Sequence, residues 1–230
     1  MPHPRFAACV FDAYGTLFDV GSIASAAERL VPSHGADLGK LWRAKQLEYT
    51  WLASLMAAPG YARPDFRDVT AMALDYAVAA LVLPIGADAR AELAAGYLRL
   101  ATYPDAHASL ASLAPLPRWI LSNGTRDMLD PLVAGSGLAP VIDGVISVDE
   151  ADVYKPSPRV YALAADRLGV DPRSIAFVSA NAWDAVGAQA CGYTAFWINR
   201  VEAPLERHAA PPAFIVGSLS EVAAIVNAAG

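Results

Sequence analysis

Polar and charged side chains follow four short apolar segments of the chain. Asp12 and Thr16 come after the first segment, and Ser122 and Asn123 close the second. The later segments add a lysine, a serine, an asparagine and a second aspartate, namely Lys155, Ser179, Asn181 and Asp184. Carboxylates near a lysine are groups that can serve in nucleophilic or general acid–base chemistry. These residues are therefore candidates for one catalytic site.

Each of these residues also has an ordinary structural explanation when it is taken alone. Asp12 could be a turn former, Lys155 a solvated surface lysine, and Asp184 the N-cap of a helix. Arg43, which lies outside the four segments, could be an ordinary exposed arginine. The structural explanation is weaker for the four segments together, because all of them deliver reactive or hydrogen-bonding groups at the same relative position.

Short apolar runs alternate with helix-like stretches in the first and last parts of the chain. Continuous apolar runs are typical of parallel strands that are covered on both faces. The predicted strands and helices occupy residues 6–11, 118–122, 127–136, 145–148, 158–168, 175–179, 183–191, 195–198, 213–216 and 220–228. The alternation predicts an α/β protein with a Rossmann-like, doubly wound parallel sheet. Ligands of such sheets bind outside the carboxyl ends of the strands, where the polar residues fall.

Residues from about 20 to 100 interrupt this alternation, because helical periodicity dominates there. Between Leu38 and Met56, apolar residues recur at spacings of about three and four, which predicts a helix with one apolar stripe. Its members are Leu38, Leu41, Trp42, Tyr49, Leu52, Leu55 and Met56. Further helices are predicted over 65–83 and 87–100. We therefore predict a core domain of residues 1–17 and 104–230, with a helical cap domain of residues 18–103.

In this order, the four motifs resemble those of the haloacid dehalogenase superfamily, and most closely its L-2-haloacid dehalogenase branch. The motifs are Asp12-x-Tyr14-Gly15-Thr16-Leu17, Ser122-Asn123-Gly124, Tyr154-Lys155-Pro156 and Ser179-x-Asn181-Ala182-Trp183-Asp184. The resemblance extends to residues 97–100, 197–200 and 41–51, the last of which is similar to the signature helix of that branch. It implies hydrolysis of an (S)-2-haloacid to the (R)-2-hydroxyacid and halide through an ester of Asp12, with one inversion at carbon 2.

The resemblance also implies a role for each candidate residue. Asp12 would be the nucleophile, Lys155 would keep it ionised, and Asp184, or water held by it, would activate the hydrolytic water. Thr16 and Ser179 would form hydrogen bonds with Asp12 and orient it. Arg43 would help hold the anionic substrate and the leaving halide, and Ser122 and Asn123, with backbone amides after Asp12, would bind the substrate carboxylate and the halide. Tyr161 and Asn181 would complete the network with Asp184. An apolar wall around the alkyl group and halogen would come from Tyr14, Leu47, Phe66 and Trp183.

Tyr14 distinguishes this chain from the phosphatases of the superfamily. They typically carry a second aspartate two residues after the nucleophile, which protonates the leaving alkoxide, whereas a halide leaves without a proton. Ser179 and Asn181 occupy positions where a further carboxylate could hold magnesium. We therefore predict a site without metal or cofactor, and a superfamily phosphatase or phosphonate hydrolase remains the alternative. Ala44 replaces a glutamine that is expected in this branch, which leaves the pocket width open.

Composition argues against several other classes of protein. Hydrophobic residues make up 55% and charged residues 17%, which argues against disorder. The net charge of −6 and the absence of a basic run argue against a nucleic-acid partner. No apolar stretch is long enough for a membrane span. The four histidines are scattered along the sequence, so they do not form the pattern of a zinc site. Without a secretory signal, we expect a cytoplasmic protein in which Cys9 and Cys191 stay reduced. The resemblance further implies a homodimer.

A non-catalytic binding module with the same fold is a third interpretation of the chain. Loss of Asp12 or Lys155 would be its mark in the sequence, and both residues are present. A nucleotide-binding oxidoreductase is less well supported, because no glycine-rich G-x-G-x-x-G motif follows the first predicted strand. We therefore predict a small-molecule hydrolase.

Overall fold

A computed structural model describes residues 5–56, 58–206 and 209–229. Within these residues, six parallel strands form one sheet in the order β3-β2-β1-β4-β5-β6. The strands are β1 Ala8–Phe11, β2 Arg118–Ser122, β3 Gly144–Ser147, β4 Ile175–Ser179, β5 Thr194–Ile198 and β6 Phe214–Val216. All six strands were predicted from the apolar runs, and the predicted doubly wound α/β class is confirmed.

The helices divide into two groups along the chain. The first group follows β1 directly and consists of four helices among the described residues. They are α1 Gly21–Leu30, α2 Gly35–Leu55, α3 Phe66–Ala80 and α4 Ala87–Ala95. The others are α5 Ala106–Ser112, α6 Arg126–Gly135, α7 Pro158–Leu168, α8 Ala182–Ala190 and α9 Leu219–Ala228. Helix α2 packs against both α1 and α3, so the first group has an interior of its own. In the part of the chain that the structure describes, none of the helices is both long and apolar enough to cross a membrane.

The central strands are apolar because both of their faces are covered. Every residue of β1 and of β4 is buried, which explains why their sequences read as continuous apolar runs. Side-chain caps fix where several helices begin: Asp65 accepts a hydrogen bond from the Asp68 amide before α3, and Thr125 accepts one from the Met128 amide before α6. At the other end, Gly169 stops α7 with a φ of 65°, which is favourable for glycine.

The helical segment differs from the prediction in three details. Helix α1 was not predicted, and α4 ends at Ala95 instead of continuing to residue 100. Outside this segment, α5 was not predicted either. The predicted stripe of α2 is buried at Leu38 and Trp42, but Leu52 and Leu55 are 42% and 82% exposed. The buried face continues instead through Gln46, Thr50 and Ala53. A polar side chain can take an interior position when its hydrogen bonds are satisfied there, and the apolar pattern gives no sign of this.

Candidate active site

The sheet topology brings the four motifs to one place. The chain adds β2 and β3 on one side of β1, and then β4, β5 and β6 on the other, so strand order reverses between β1 and β4. Phe11 pairs with Ile120 of β2 and with Val178 of β4, which makes these strand ends level. Asp12 and the residues after β4 therefore leave the sheet at the switch point, where ligands of open α/β sheets bind.

Asp12 is held by three donors from three parts of the chain. Its Oδ1 accepts a hydrogen bond from Lys155 Nζ at 3.2 Å. Its Oδ2 accepts hydrogen bonds from Thr16 Oγ1 and from Asn181 Nδ2, both at 3.0 Å. The side chain is only 9% exposed. Its partners are side chains up to 169 residues away in the sequence, so the carboxylate does more than cap a local turn.

Lys155 lies between two carboxylates. Its ammonium is 3.2 Å from Asp12 Oδ1 and 3.0 Å from Asp184 Oδ2, and its side chain is 1% exposed. Burial alone would lower the pKa of Lys155, but the charges of Asp12 and Asp184 outweigh it and raise the pKa above its ordinary value. The interpretation of Lys155 as a solvated surface residue is therefore wrong.

Asp184 is fully buried behind Lys155. Its Oδ1 accepts a hydrogen bond from the hydroxyl of Tyr161 at 2.8 Å, and its Oδ2 binds Lys155. Burial raises the pKa of Asp184, the ammonium of Lys155 opposes this, and the charge of Asp12 adds to the rise. The alternative role of Asp184 as a helix N-cap is wrong, because Asn181 takes the N-cap position of α8 and Asp184 lies in its first turn.

Thr16 and Ser179 hold the loops on either side of Asp12. Thr16 Oγ1 donates a hydrogen bond to Asp12 and accepts one from the Ala180 amide at 2.8 Å. These two bonds fix the orientation of the Thr16 hydroxyl. Ser179 Oγ accepts a hydrogen bond from the Asn181 amide at 3.1 Å. The hydrogen bond expected between Ser179 and Asp12 is not formed. Ser179 instead contacts the backbone of Asn181, whose side chain in turn donates a hydrogen bond to Asp12.

Ser122 and Asn123 tie the second motif to the third. Ser122 Oγ accepts a hydrogen bond from the Gly124 amide at 3.1 Å, and Asn123 Oδ1 accepts one from the Lys155 amide at 3.1 Å. Both side chains are buried. The backbone of Lys155 is therefore positioned by the residue that follows β2, while its ammonium reaches the residues that follow β1 and β4.

Arg43 reaches this cluster from α2. Its Nη2 is 3.4 Å from Asn181 Oδ1, and its Nη1 donates to Gln46 Oε1 at 2.6 Å. The exposed-arginine interpretation is wrong, because the guanidinium contacts the side chain that also binds Asp12. Gln46 was not predicted as a site residue, although its position three residues after Arg43 on one helix was a signal that it could contact Arg43.

The four residues predicted to form an apolar wall divide into two pairs. The ring of Tyr14 lies 5.4 Å from that of Phe66, and both are buried. Leu47 and Trp183 line a cavity of about 410 Å³ together with Asn181. Trp183 also meets Trp51 of α2 edge to face, with ring centroids 5.6 Å apart. Aromatic or aliphatic side chains thus line both sides of the contact between the helical segment and the sheet.

Tyr14 is unusual because its hydroxyl is buried without a hydrogen-bond partner among the residues that the structure describes. Burial raises its pKa well above the ordinary value, and the nearby Tyr97 adds to the rise. The phenol therefore stays neutral. The backbone of Gly124 passes close beneath the ring, where a Cβ would lie 2.9 Å from Tyr14 Cε2, so this contact requires a glycine.

In the described ranges, no group of three or more histidine, cysteine, aspartate or glutamate side chains is arranged to hold a metal ion. The two carboxylates of the cluster, Asp12 and Asp184, are bridged by the ammonium of Lys155. The carboxylate oxygens thus have a cationic partner within the protein. That the reaction needs no metal remains a prediction.

Doubly wound sheets with this strand order occur in proteins of several functions, so the strand order alone does not give the class of this protein. A family model described as haloacid dehalogenase-like hydrolase matches residues 6–192. The chain belongs to the haloacid dehalogenase-like hydrolases, and the superfamily resemblance predicted from the four motifs is confirmed.

Within this family, the chain is similar over nearly its whole length to 2-haloacid dehalogenases. An (S)-2-haloacid dehalogenase of Xanthobacter autotrophicus is 44% identical, over 96% of this chain and 94% of its own. The (S)-2-haloacid dehalogenase 1 of Pseudomonas sp. (strain CBS-3) is 43% identical, over 94% of each chain. A solved L-2-haloacid dehalogenase from Xanthobacter autotrophicus with chloropropionic acid covalently bound has a TM-score of 0.88 and 43% identity, covering 96% of this chain and 98% of that one.

Proposed function

We propose that this chain is an (S)-2-haloacid dehalogenase that converts short 2-haloalkanoic acids to (R)-2-hydroxyacids and halide. The prediction made from the sequence is supported by the near-full-length similarity to enzymes of that name. The observation that carries the proposal is the Asp12 carboxylate, which lies between Lys155, Thr16 and Asn181 at the switch point of the sheet. Tyr14 stands where a phosphatase would need an acid.

In the first step, a carboxylate oxygen of Asp12 attacks carbon 2 from the side opposite the halogen. The new carbon–oxygen bond forms while the carbon–halogen bond breaks, and the halogen leaves with the bonding electrons. Carboxylates are modest nucleophiles, so the rate must come from alignment, which can supply about 7–11 kcal/mol. The three hydrogen bonds to Asp12 provide this alignment. Rear attack inverts carbon 2 once.

In the second step, water attacks the carbonyl carbon of the Asp12 ester. Asp184, or water that it holds, accepts a proton from the attacking water; the raised pKa of Asp184 makes it a better base than an ordinary aspartate. The bond between the carbonyl carbon and the ester oxygen breaks, and the departing oxygen takes a proton to become the hydroxyl of the product. Carbon 2 is untouched, and Asp12 keeps one oxygen from the water.

The anionic substrate and the departing halide require positive or hydrogen-bonding groups. We propose that Arg43 binds both anions and that Ser122 and Asn123, with backbone amides after Asp12, bind the substrate carboxylate. Donors of this kind can stabilise developing negative charge by a few kcal/mol. Tyr161 keeps Asp184 in place through its 2.8 Å hydrogen bond, and Ser179 acts through Asn181. The apolar walls for the alkyl group and halogen are Tyr14, Leu47, Phe66 and Trp183.

A single turnover of (S)-2-chloropropionate in ¹⁸O-water, with enzyme in excess, tests the covalent mechanism. Label is expected in the peptide that contains Asp12 and not in the first-turnover product, and chiral chromatography should find the (R)-hydroxyacid. Label in that product with an unlabelled peptide would contradict the ester intermediate. A phosphate-release assay with magnesium tests the alternative phosphatase, and an unchanged rate of halide release after chelation tests the predicted independence from metal.

We further propose a division of the chain into a core of residues 1–17 and 104–230 and a cap of residues 18–103, and a cytoplasmic homodimer. Support for the dimer comes from an exposed apolar patch on α2, α3 and their connection. Exposed patches of this kind mark association surfaces. The patch comprises Leu52, Met56, Tyr61 and Met72, which line one surface hollow, and Tyr76, which is exposed one turn after Met72 on α3. Met72→Asp, at an exposed position of the patch, is expected to convert a dimer, measured by analytical ultracentrifugation, into a monomer.

A further inference from the structure

A buried polar network in the helical segment ends at Arg43. Gln46 is fully buried in α2, and its side chain lies between the guanidinium of Arg43 and helix α3. Its Oε1 accepts hydrogen bonds from Arg43 Nη1 at 2.6 Å and from the hydroxyl of Tyr97 at 3.3 Å. Its Nε2 donates to Thr70 Oγ1 at 2.6 Å. Buried polar groups of this kind fix one arrangement when all of them are satisfied.

The protons of the network determine which way the Gln46 amide faces. Thr70 Oγ1 donates its only proton to the carbonyl of Phe66 in its own helix, at 2.6 Å. Thr70 can therefore only accept from Gln46, so the NH₂ group of Gln46 must face α3 and its oxygen must face Arg43. Burial raises the pKa of Tyr97, although the charge of Arg43 opposes this, so the hydroxyl of Tyr97 remains a neutral donor to the same oxygen.

The network also keeps the charge of Arg43 available. Gln46 Oε1 and Asn181 Oδ1 both accept hydrogen bonds from Arg43, and both belong to neutral amides. The Tyr97 hydroxyl, which also interacts with Arg43, is neutral as well. A carboxylate in place of either amide would form an ion pair with the guanidinium and cancel most of its attraction for another anion. Lys155, by contrast, is already paired with two carboxylates. Of these two cations, Arg43 is the one whose charge is left for an anionic ligand.

We propose that Gln46 is a positioning residue for Arg43: its fixed, neutral oxygen holds the guanidinium toward Asn181 without neutralising it, and this preserves the affinity of the site for halide and for the 2-haloacid carboxylate. The proposal rests on the proposed function for the identity of these anions. It extends that function to a residue that does not contact the reacting atoms.

The test compares Gln46→Glu, which has nearly the same shape and adds a negative charge, with Gln46→Leu, which removes the hydrogen bonds without adding charge. Glu48→Gln is the matched control, because it changes the charge on the partly exposed side of the same helix, where Glu48 pairs with Lys45. The first measurement is the binding of sodium bromide by isothermal titration calorimetry, with sodium sulfate as the reference for ionic strength. The second is kcat and KM for (S)-2-chloropropionate, with the bromide inhibition constant.

We expect Gln46→Glu to raise the bromide dissociation constant and the KM at least tenfold, with a smaller fall in kcat. Gln46→Leu should raise both constants about threefold, and Glu48→Gln should leave them within twofold of the wild type. Near-ultraviolet circular dichroism establishes that each variant is folded, and Gln46→Leu alone decides the question if Gln46→Glu does not fold.

The proposal is overturned if Gln46→Glu, or Gln46→Leu where only that variant folds, binds bromide as the wild type does. It is also overturned if Gln46→Leu binds bromide more weakly than Gln46→Glu, since lost packing rather than added charge would then control affinity. Bromide binding requires no turnover. A wild type that binds bromide but releases no halide from 2-chloropropionate would therefore contradict the proposed function and leave the role of Gln46 to be decided by the titration.

Discussion

The two halves of the site hold their charges in different ways. On the side of the sheet, the ammonium of Lys155 lies between the carboxylates of Asp12 and Asp184, and all three side chains are less than a tenth exposed. On the side of the inserted helices, the guanidinium of Arg43 is held by the neutral amides of Gln46 and Asn181. One half is an ion network, and the other is a single cation in a neutral setting.

This difference separates two tasks. Burial of a charge is costly unless the charge is paired and hydrogen-bonded, so the ion network can form only as a complete set. It holds the carboxylate of Asp12, the proposed nucleophile, in one position, and removal of one member leaves a buried charge without its partner. Arg43 is only partly buried, so its charge does not need an opposite charge within the protein and is available to bind an anionic ligand. We therefore expect substitutions in the sheet half to affect both stability and catalysis, and substitutions in the helical half to affect mainly the binding of anions.

The largest effect is expected for Asp12→Asn. An amide oxygen is a far weaker nucleophile than a carboxylate, so the rate of halide release should fall at least about 1,000-fold, equivalent to about 4 kcal/mol in activation free energy. Halide release is measured by ion chromatography. Asp171→Asn, at an exposed aspartate that forms an ion pair with Arg173, is the control and should retain full activity. Substantial activity of Asp12→Asn would contradict the role of Asp12 as nucleophile.

Lys155→Met tests whether the ion network forms as a set. It leaves two buried carboxylates without their shared cation, so we expect the free energy of unfolding to fall by about 3–5 kcal/mol and activity to fall at least about 100-fold. The double variant Lys155→Met/Asp184→Asn removes the repulsion and should recover much of the stability but not the activity. Urea denaturation measures the free energy of unfolding of both variants. If the double variant is no more stable than the single one, charge balance does not explain the stability of the network.

Arg43→Leu is the corresponding test of the helical half. Because Arg43 is held by neutral partners, its loss should change the free energy of unfolding by no more than about 1 kcal/mol. We expect kcat/KM for the haloacid to fall about 100-fold through the loss of anion binding, and Arg43→Lys should recover part of it. If Arg43→Leu lowers the free energy of unfolding as much as Lys155→Met does, the claim that the helical half contributes mainly to anion binding is wrong.

The pH dependence of stability sharpens the comparison. The pKa of Lys155 is raised in the folded state above its ordinary value of 10.5, since Asp12 and Asp184 outweigh the effect of burial. A raised pKa means that the contribution of this lysine is fully present below its unfolded value and is lost as the pH rises through its folded value. The stability difference between the wild type and Lys155→Met should therefore be undiminished at neutral pH and decline only above about 10.5. Urea denaturation across this range measures it, and a decline that begins near neutrality would contradict the assigned direction.

The smallest effect is expected for a contact that joins the helical segment to the core outside the proposed catalytic cluster. Arg63 pairs with Asp149 and Asp152 and lies over the ring of Tyr154, the residue before Lys155. Because both aspartates are exposed to solvent, Arg63→Ala should lower the free energy of unfolding by only about 1 kcal/mol, and Arg63→Lys should lower it less. Urea denaturation provides the measurement. A large fall in kcat for Arg63→Ala would mean that the alignment of Lys155 depends on this contact.

The sequence predicts the sheet half of the site better than the helical half. Asp12 and Asp184 follow apolar strands, and strand ends meet at one edge of a parallel sheet whatever the rest of the chain does. In the helical segment, Gln46 is buried and Leu55 exposed, which is the reverse of what their polarity suggests. The partners that decide this, such as Thr70, are brought to Gln46 by packing of α2 on α3. Likewise, the hydrogen bond of Ser179 depends on the path of a loop, which a motif does not encode.

The edge-to-face pair of Trp51 and Trp183 has an optical consequence. The two indole rings lie 5.6 Å apart at an interplanar angle of 82°, one on α2 and the other on α8. Transition dipoles of two chromophores at this separation couple, and the coupling produces a pair of circular dichroism bands of opposite sign. The strength of these bands falls steeply with distance. A displacement that moved α2 away from α8 would therefore weaken these bands, and the pair offers a spectroscopic probe of the distance between the two helices.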